Sequence, residues 1–288
     1  MHTTNDNSRV SLAVSIVICS YNRRDDLAAC LAALPWDRLE ARGAEVIVVE
    51  DGCTDDTAAM VRQDFSMVRL LTDEPNQGPS YCRNRGAAAA RGRLLLFLDD
   101  DAIPAPDWLD AMLAADDGQA LLGGRILDLE GGREQGGPAY STFIGKRLPC
   151  APEKATVGAT ANLGVPRKCF EEIGGFDLDL PYYFEDSDLC IRARKAGYGF
   201  RYVPGAVVRH KGNEVKKGEA IRMQEHNSTY AMLKAYRGHW GRLAAFTLLN
   251  GAWMAARLVI WTVRGRLEDS RLLFAGWWSA HGRFARHR

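Results

Sequence analysis

The stretch 93–104, RLLLFLDDDAIP, constrains this chain more than any other. Its apolar run, residues 94–98, is long enough for a buried strand and too short for most helices, and it ends abruptly in Asp99, Asp100 and Asp101. Three adjacent carboxylates repel one another and need a counter-charge. Ligands of open α/β sheets bind beyond the carboxyl ends of strands, so the counter-charge expected there is a divalent cation carrying a substrate's phosphates. Asp clusters also cap helices or lie on solvated loops, and the surrounding sequence has to decide between these readings.

Upstream, apolar runs at 14–19 (VSIVIC), 44–49 (AEVIVV) and 68–72 alternate with helical segments. Leu27, Cys30, Leu31 and Leu34 follow the acidic first turn of Asp25 and Asp26 at helical spacing. Thr54 is placed to cap a helix reaching residue 63, and the turn 75–78 feeds a helix over 79–90. The order β-α-β-α-β-α-β predicts a right-handed, mostly parallel sheet in three layers. Tyr21, Asp51 and the Asp triplet would share its carboxyl edge, where a nucleotide would sit. The G-x-G-x-x-G fingerprint and the P-loop pattern are both absent, which argues against a dehydrogenase or a P-loop ATPase. Further on we expect a helix over 106–115, a strand over 121–127, a loop at 130–138 (EGGREQGGP), and short strands at 200–203 and 206–209, the second leading into His210. Glu185, Asp186 and Asp188 open a helix that Gly197 ends.

The net charge of +1 hides an asymmetry: from Lys211 onward there are fourteen Lys and Arg against five Asp and Glu. A basic tail on an acidic body points to an anionic partner surface, and scattered charge on a solvated helix explains it too. Residues 1–12 are polar and expected to be disordered, 13–215 form the nucleotide-binding body, and 216–288 are helical. Within the tail, 243–263 is mostly apolar, but Arg257 at its centre would be costly in lipid, so an interfacial or core-packed helix is expected over a spanning one. Trp253, Trp261, Trp277 and Trp278 interleave with Arg242, Arg257, Arg264, Arg266 and Arg271, the mix of a membrane-surface element; a helical layer covering the core is the alternative. Seven cysteines without a C-x-x-C pair argue against a zinc site and for a reducing, cytoplasmic location. Residues 10–19 lack a small-residue cleavage site and read as the first strand rather than a signal peptide.

Four motifs in order, SIVICSYNR, VIVVEDGCTDDT, NQGPSYCRNRGAAAARGRLLLFLDDDAIPAPDWL and GGFDLDLPYYFEDSDLCIRARKAGY, resemble those of family 2 glycosyltransferases, and the resemblance runs from about Val14 to His210. It implies a three-layer α/β/α domain of GT-A type with a mostly parallel sheet, followed here by the C-terminal helical extension. It also implies an inverting transfer from a nucleoside-diphosphate sugar of UDP, GDP or dTDP type, with Mn²⁺ or Mg²⁺ as cofactor. By this resemblance Ser20 and Tyr21 line the base pocket, with Asn22 and Arg23 in the same loop, and Asp51 accepts a hydrogen bond from the base beside Glu50. Arg83 lies near the nucleotide. Asp101 is the direct metal ligand, joined by Asp99 and with His210 completing the site, and Asp99 or Asp100 holds ribose or sugar hydroxyls. Asp186 is the base that takes the acceptor's proton, and Glu185 positions the acceptor.

Lys211, Lys216 and Lys217, with Gly212 and Gly218 at the edges, suggest a flap over the diphosphate or a solvated basic loop. Acceptors compatible with this reading are a saccharide, a lipid-linked saccharide or a small natural product. Nucleic acid is not among the expected partners; the cytoplasmic face of a membrane and a second copy of the chain are. Two other readings compete: a sugar-phosphate nucleotidyltransferase, which would carry a Gly-rich basic loop where this chain has Ser20, Tyr21, Asn22 and Arg23, and a non-catalytic nucleotide-sugar- or membrane-binding protein.

Overall fold

The computed structural model describes residues 12–130, 132–212 and 217–286. Residues 1–11 of the expected frayed terminus lie outside them, as does the centre of the expected flap with Lys216. The first half runs β1 (Leu12–Ser20), α1 (Arg24–Ala32), α2 (Trp36–Ala41), β2 (Ala44–Asp51), α3 (Thr57–Asp64), β3 (Arg69–Asp73), α4 (Pro79–Ala89), β4 (Gly92–Asp99), β5 (Ala102–Pro104) and α5 (Trp108–Ala115). Then come β6 (Ala120–Asp128), β7 (Glu134–Gly136), β8 (Ala139–Ser141), β9 (Arg147–Pro149), β10 (Asn162–Pro166), α6 (Arg167–Glu172), α7 (Glu185–Lys195) and β11 (Gly199–His210). The chain closes with α8 (Lys217–Ala235), α9 (Trp240–Val263) and α10 (Leu267–Arg286).

The main sheet has the order β3-β2-β1-β4-β10-β6-β11-β5, with β7 on β6. It is parallel across β3, β2, β1 and β4 and again between β6 and β11, while β10 inserts antiparallel to both β4 and β6. The unbroken apolar runs follow from burial on both faces. Ile16, Ile18, Leu94 and Leu96 face the layer holding Leu27, Leu31 and Trp108, and Val17, Leu95 and Phe97 face the layer holding Phe170, Phe176 and Leu189. Because β1 pairs with β2 on one side and β4 on the other, their carboxyl ends open a crevice, and Asp99 is the last residue of β4.

Several boundaries differ from the sequence expectation for identifiable reasons. The helix after β2 starts at Thr57, because Asp55 takes the Thr57 N–H at 3.1 Å, while the Thr54 N–H goes to Asn22 Oδ1 at 2.7 Å. The glycine-rich loop at 130–138 contains β7, which pairs with β6. The two short strands at 200–209 are one strand, β11, with a bulge between Val203 and Val207.

That bulge aims His210 at the carboxyl edge, and a buried asparagine holds it. Asn162 Nδ2 donates to Ala206 O at 2.8 Å and Arg125 O at 3.1 Å, while its Oδ1 accepts from Trp108 Nε1 at 2.8 Å. Gly124 leaves room for this amide: a Cβ there would stand 2.1 Å from Asn162 Nδ2. Similarly, α4 lies close on β1 because a Cβ at Gly86 would meet Val17 Cγ1 at 2.4 Å.

The C-terminal helices join the body through polar and aromatic contacts. Tyr230 Oη donates to Asp179 at 3.1 Å, Arg283 Nη2 to the same carboxylate at 2.6 Å, and Tyr236 Oη to Phe143 O at 3.0 Å. Asn227 Nδ2 donates to Tyr183 O at 3.1 Å, steadying the turn in which Tyr183 and Phe184 both have positive φ, 60° and 73°. Such backbone is costly for aromatic residues and persists only where its surroundings fix it, and it delivers the start of α7 to the crevice. Helix α9 is long and apolar enough to cross a membrane by length and composition, and its outer face leaves Leu248, Leu249, Val259, Ile260 and Val263 exposed.

Asn162→Ala should destabilise the protein by roughly 3 kcal/mol, since it leaves the Trp108 N–H and two carbonyls buried without partners. Urea denaturation followed by tryptophan fluorescence checks this, and an unchanged midpoint would contradict it.

Candidate active site

A cleft of about 940 Å³ opens at the carboxyl edge, and most of the residues singled out in the sequence line it. Ser20 and Tyr21 come from the end of β1, with Tyr21 exposed at the mouth. The Asp51 carboxylate is buried and accepts the backbone N–H groups of Gln77 at 2.7 Å and Gly78 at 2.9 Å, which fixes its plane at the cleft wall. Asn22 and Glu50 do not line the cleft. Asn22 Oδ1 accepts the Thr54 N–H, and Glu50 Oε1 accepts the Cys53 N–H, so both build the loop behind the pocket instead.

The Asp triplet has three counter-charges from the protein itself. Arg23 Nη1 lies 3.0 Å from Asp101 Oδ2 and 3.3 Å from Asp100 Oδ1. Arg83 Nη2 lies 3.0 Å from Asp99 Oδ1, and His210 Nε2 lies 2.9 Å from Asp101 Oδ1 and 3.5 Å from Asp99 Oδ2. These partners split the triplet electrostatically. Burial pushes Asp100 up to about 7, aided by its two acidic neighbours and opposed by Arg23. Burial works the same way on Asp99, but His210 and Arg83 outweigh it and hold this carboxylate at about 2. For His210, burial is outweighed by the Asp101 and Asp99 carboxylates beside it, and the imidazole is pushed up to about 10.

One oxygen each from Asp99 and Asp101 and one nitrogen of His210 lie within 4.8 Å of one another. Asp101 Oδ1 and His210 Nε2 are buried, and their close contact lacks hydrogen-bond alignment. His210 Nδ1 sits 3.2 Å from Gln135 Oε1, a partner that takes up Nδ1–H and leaves Nε2, protonated in the ion-free protein, facing the carboxylates. Two carboxylate oxygens and an imidazole fit Mn²⁺ or Mg²⁺ as a donor set, and an ion here would take the place of the imidazole proton.

Across the cleft, Glu185 and Asp186 begin α7. Glu185 is buried with Oε1 3.0 Å from Arg83 Nη1, and burial together with Asp186 raises it to about 7 against the pull of Arg83. Arg83 thus bridges Asp99 and Glu185. Both side chains also line the cleft, so the residue expected beside the nucleotide and the one expected to position the acceptor are joined in one ion pair. Asp186 accepts the Ser187 N–H and has Oδ2 3.6 Å from Arg147 Nη1, so this carboxylate faces the open cleft.

Part of the wall escaped the sequence reading. Lys146, Arg147, Glu225, Trp253 and Arg257 all line the cleft. Trp253, Arg257 and Trp261 fitted a membrane-facing pattern, but Trp253 and Arg257 turn to the cleft and Trp261 is buried. Their i, i+4 spacing marked one helix face without saying which side was inward. The expected flap residue Lys211 is held on α1, its Nζ 3.2 Å from Asp26.

Asp100 and Glu185 are carboxylates of raised pKa, so between pH 4 and 7 the folded chain binds more protons than the unfolded one and stability falls as pH rises. The contribution of His210 is present below about pH 6.5 and is lost as pH rises toward 10, in the same direction. In EDTA the thermal midpoint should therefore drop by roughly 3–5 °C from pH 5 to pH 8. Asp100→Asn should flatten the drop, and Mn²⁺ should raise the midpoint more at pH 8 than at pH 5. A flat wild-type profile without a Mn²⁺ effect would contradict this electrostatic account.

Comparison with known proteins agrees with this architecture. The family model described as glycosyl transferase family 2 matches residues 15–174. Glycosyltransferase AglE of Haloferax volcanii is 28% identical over 222 residues, covering 73% of this chain and 70% of that protein. The N-acetylglucosaminyl-diphospho-decaprenol L-rhamnosyltransferase of Mycobacterium tuberculosis is 29% identical over 297 residues, covering 89% and 94%. The pre-mycofactocin glycosyltransferase of the same species is 30% identical over 271 residues, and the match spans 89% of this chain and 54% of that relative. Among solved structures, the mannosyltransferase PcManGT from Pyrobaculum calidifontis superposes with a TM-score of 0.59 at 16% identity, covering 91% of this chain and 85% of that one, a likeness of fold. With the family match spanning the parallel half of the sheet, the Asp triplet and β10, this chain belongs to glycosyl transferase family 2.

Proposed function

We propose that the chain transfers a glycosyl group from a nucleoside-diphosphate sugar to an acceptor hydroxyl by single displacement, with inversion at the anomeric carbon. The observation that carries this reading is the pairing, within one cleft, of a cation-ready cluster (Asp99, Asp101, His210) with an open carboxylate, Asp186, on the opposite wall. A divalent ion held by that cluster supplies charge neutralisation for the departing diphosphate. Mn²⁺ is favoured by the imidazole in the donor set, and PcManGT is described in complex with GDP-Man and Mn²⁺.

Tyr21 offers a ring for the nucleobase and Asp51 its remaining lone pairs, while Arg23 and Asp100 flank the diphosphate. Asp186 accepts the proton of the attacking hydroxyl as the new C–O bond forms and the bond to the diphosphate breaks. Arg83 acts through its partners: by holding Asp99 and Glu185 it fixes the spacing between the two halves, and it is a positioning residue.

In the presence of Mn²⁺ the purified protein should release nucleoside diphosphate from a UDP-, GDP- or dTDP-sugar, slowly even without acceptor. Asp101→Ala should abolish release, and Asp186→Asn should lower transfer by about 10²–10⁴-fold while nucleotide binding persists. Full transfer by Asp186→Asn would overturn the base assignment.

The outer face of α9 supports peripheral contact with the cytoplasmic face of a membrane, and a lipid-linked acceptor would be met there. Its exposed Leu248, Leu249, Val259 and Ile260 lie on a helix with Arg242 near one end and Arg264 just beyond the other. The protein should float with anionic liposomes at low salt, and Leu248→Asp combined with Val259→Asp should release it. No co-migration at low salt would remove the membrane proposal.

A further inference from the structure

On the cleft wall built with the C-terminal helices, two cations share a single carboxylate. Lys146 Nζ lies 2.9 Å from both oxygens of Glu225 and 4.0 Å from the centroid of the Trp253 ring. Arg257 packs over the same ring at 4.6 Å and over Trp261 at 4.4 Å, and its Nη1 lies 3.7 Å from the same Glu225. Two cations therefore converge on one buried carboxylate, leaving a local surplus of positive charge on a partly desolvated wall. Burial lowers the pKa of both Lys146 and Arg257, with Arg257 adding to the effect on Lys146 and Arg266 to that on Arg257, as a site short of anion would show. A surplus charge away from water is costly unless an anion meets it.

We propose that Lys146, Arg257 and Trp253 form a seat for a phosphate group carried by the acceptor, so that the acceptor is a phosphate or diphosphate ester bearing a free sugar hydroxyl. This rests on the glycosyl-transfer reading above and names its acceptor class. Arg257 offers the planar fork suited to phosphate and Lys146 a point charge, and the indole keeps both side chains extended toward the cleft. Next along the chain, Arg147 reaches Asp186, so the seat and the proposed base belong to one continuous wall. The phosphate itself is unchanged in the reaction: its ester remains intact while a hydroxyl of the same acceptor is glycosylated. The same helix that presents Trp253 and Arg257 inward exposes Leu248, Val259 and Ile260 outward, so an isoprenoid-borne phosphate can reach the seat from a lipid surface.

Calorimetric titration in EDTA, which removes metal-dependent diphosphate binding, tests this with farnesyl diphosphate, farnesol and N-acetylglucosamine 1-phosphate as probes. Farnesyl diphosphate should bind the wild type at least about tenfold more tightly than farnesol, and Arg257→Gln should erase about tenfold of that affinity. Glu225→Gln, which releases both cations from their shared carboxylate, should tighten binding, whereas a merely structural cluster would lose affinity or stay unchanged. Lys146→Gln serves as the second loss-of-charge variant should Arg257→Gln fail to fold. Equal binding of farnesyl diphosphate and farnesol, or no gain on Glu225→Gln, would overturn the proposal. Equal affinity for N-acetylglucosamine 1-phosphate would assign the seat to soluble sugar phosphates. A parallel titration of UDP and GDP with Mn²⁺ separates the two readings: variants at Lys146, Glu225 and Arg257 should leave it within about twofold of wild type, and loss of nucleotide binding in every form would count against the donor reading while leaving the seat intact.

Discussion

Carboxylate crowding is the constraint on which the rest of this molecule depends. Asp99, Asp100, Asp101, Glu185 and Asp186 all line one cleft, and the chain is arranged to let them coexist. Arg83 is the centre of that arrangement, buried with one nitrogen on Asp99 and another on Glu185, each at 3.0 Å. A guanidinium can do this because it stays charged when buried and presents two nitrogens in a fixed plane. The result is a gradient of protonation: Asp99 is held ionised, Glu185 and Asp100 are pushed toward neutrality, and Asp186 is left facing open cleft. Removing Arg83 would leave the buried Glu185 without its cation and Asp99 with His210 alone, a larger loss than breaking a surface ion pair.

Positioning of these charges is carried by the less regular parts of the fold. The strands place Asp51 and Asp99 simply by ending where they do. His210 arrives through a bulge held by Asn162, and Glu185 through two consecutive aromatic residues of positive φ held by Asn227. Helix α8 thereby takes part in shaping the turn that carries the acidic pair, so the C-terminal helices are part of the site's architecture. Helix α9 has two unlike faces, with Trp253 and Arg257 on the cleft and an apolar outer surface exposed.

What the sequence made legible was whatever is local. The strand ends carrying Tyr21, Asp51 and the Asp triplet could be read from apolar runs interrupted by polar turns, and Asp186 from an acidic first turn followed by helix. Pairings between distant residues were not legible. Arg83 and Glu185 stand 102 positions apart, and only the folded sheet brings them together. Nor was the pairing of Arg23 with Asp100 and Asp101 legible, or the way Glu50 and Asn22 close a turn behind the cleft. The inward direction of Trp253 and Arg257 was hidden because periodicity marks a stripe on a helix and says nothing about what covers it.

The central claim is that the triplet is divided, with Asp99 and Asp101 joining His210 around a cation while Asp100 stands apart against Arg23. Electron paramagnetic resonance of free Mn²⁺ in a titration of the protein measures this directly. The account predicts one ion bound per chain in the wild type, a site lost in Asp101→Asn, weakened in His210→Gln and retained in Asp100→Asn. Binding that is unchanged in Asp101→Asn and His210→Gln, or that is lost equally in Asp100→Asn and Asp101→Asn, would contradict it.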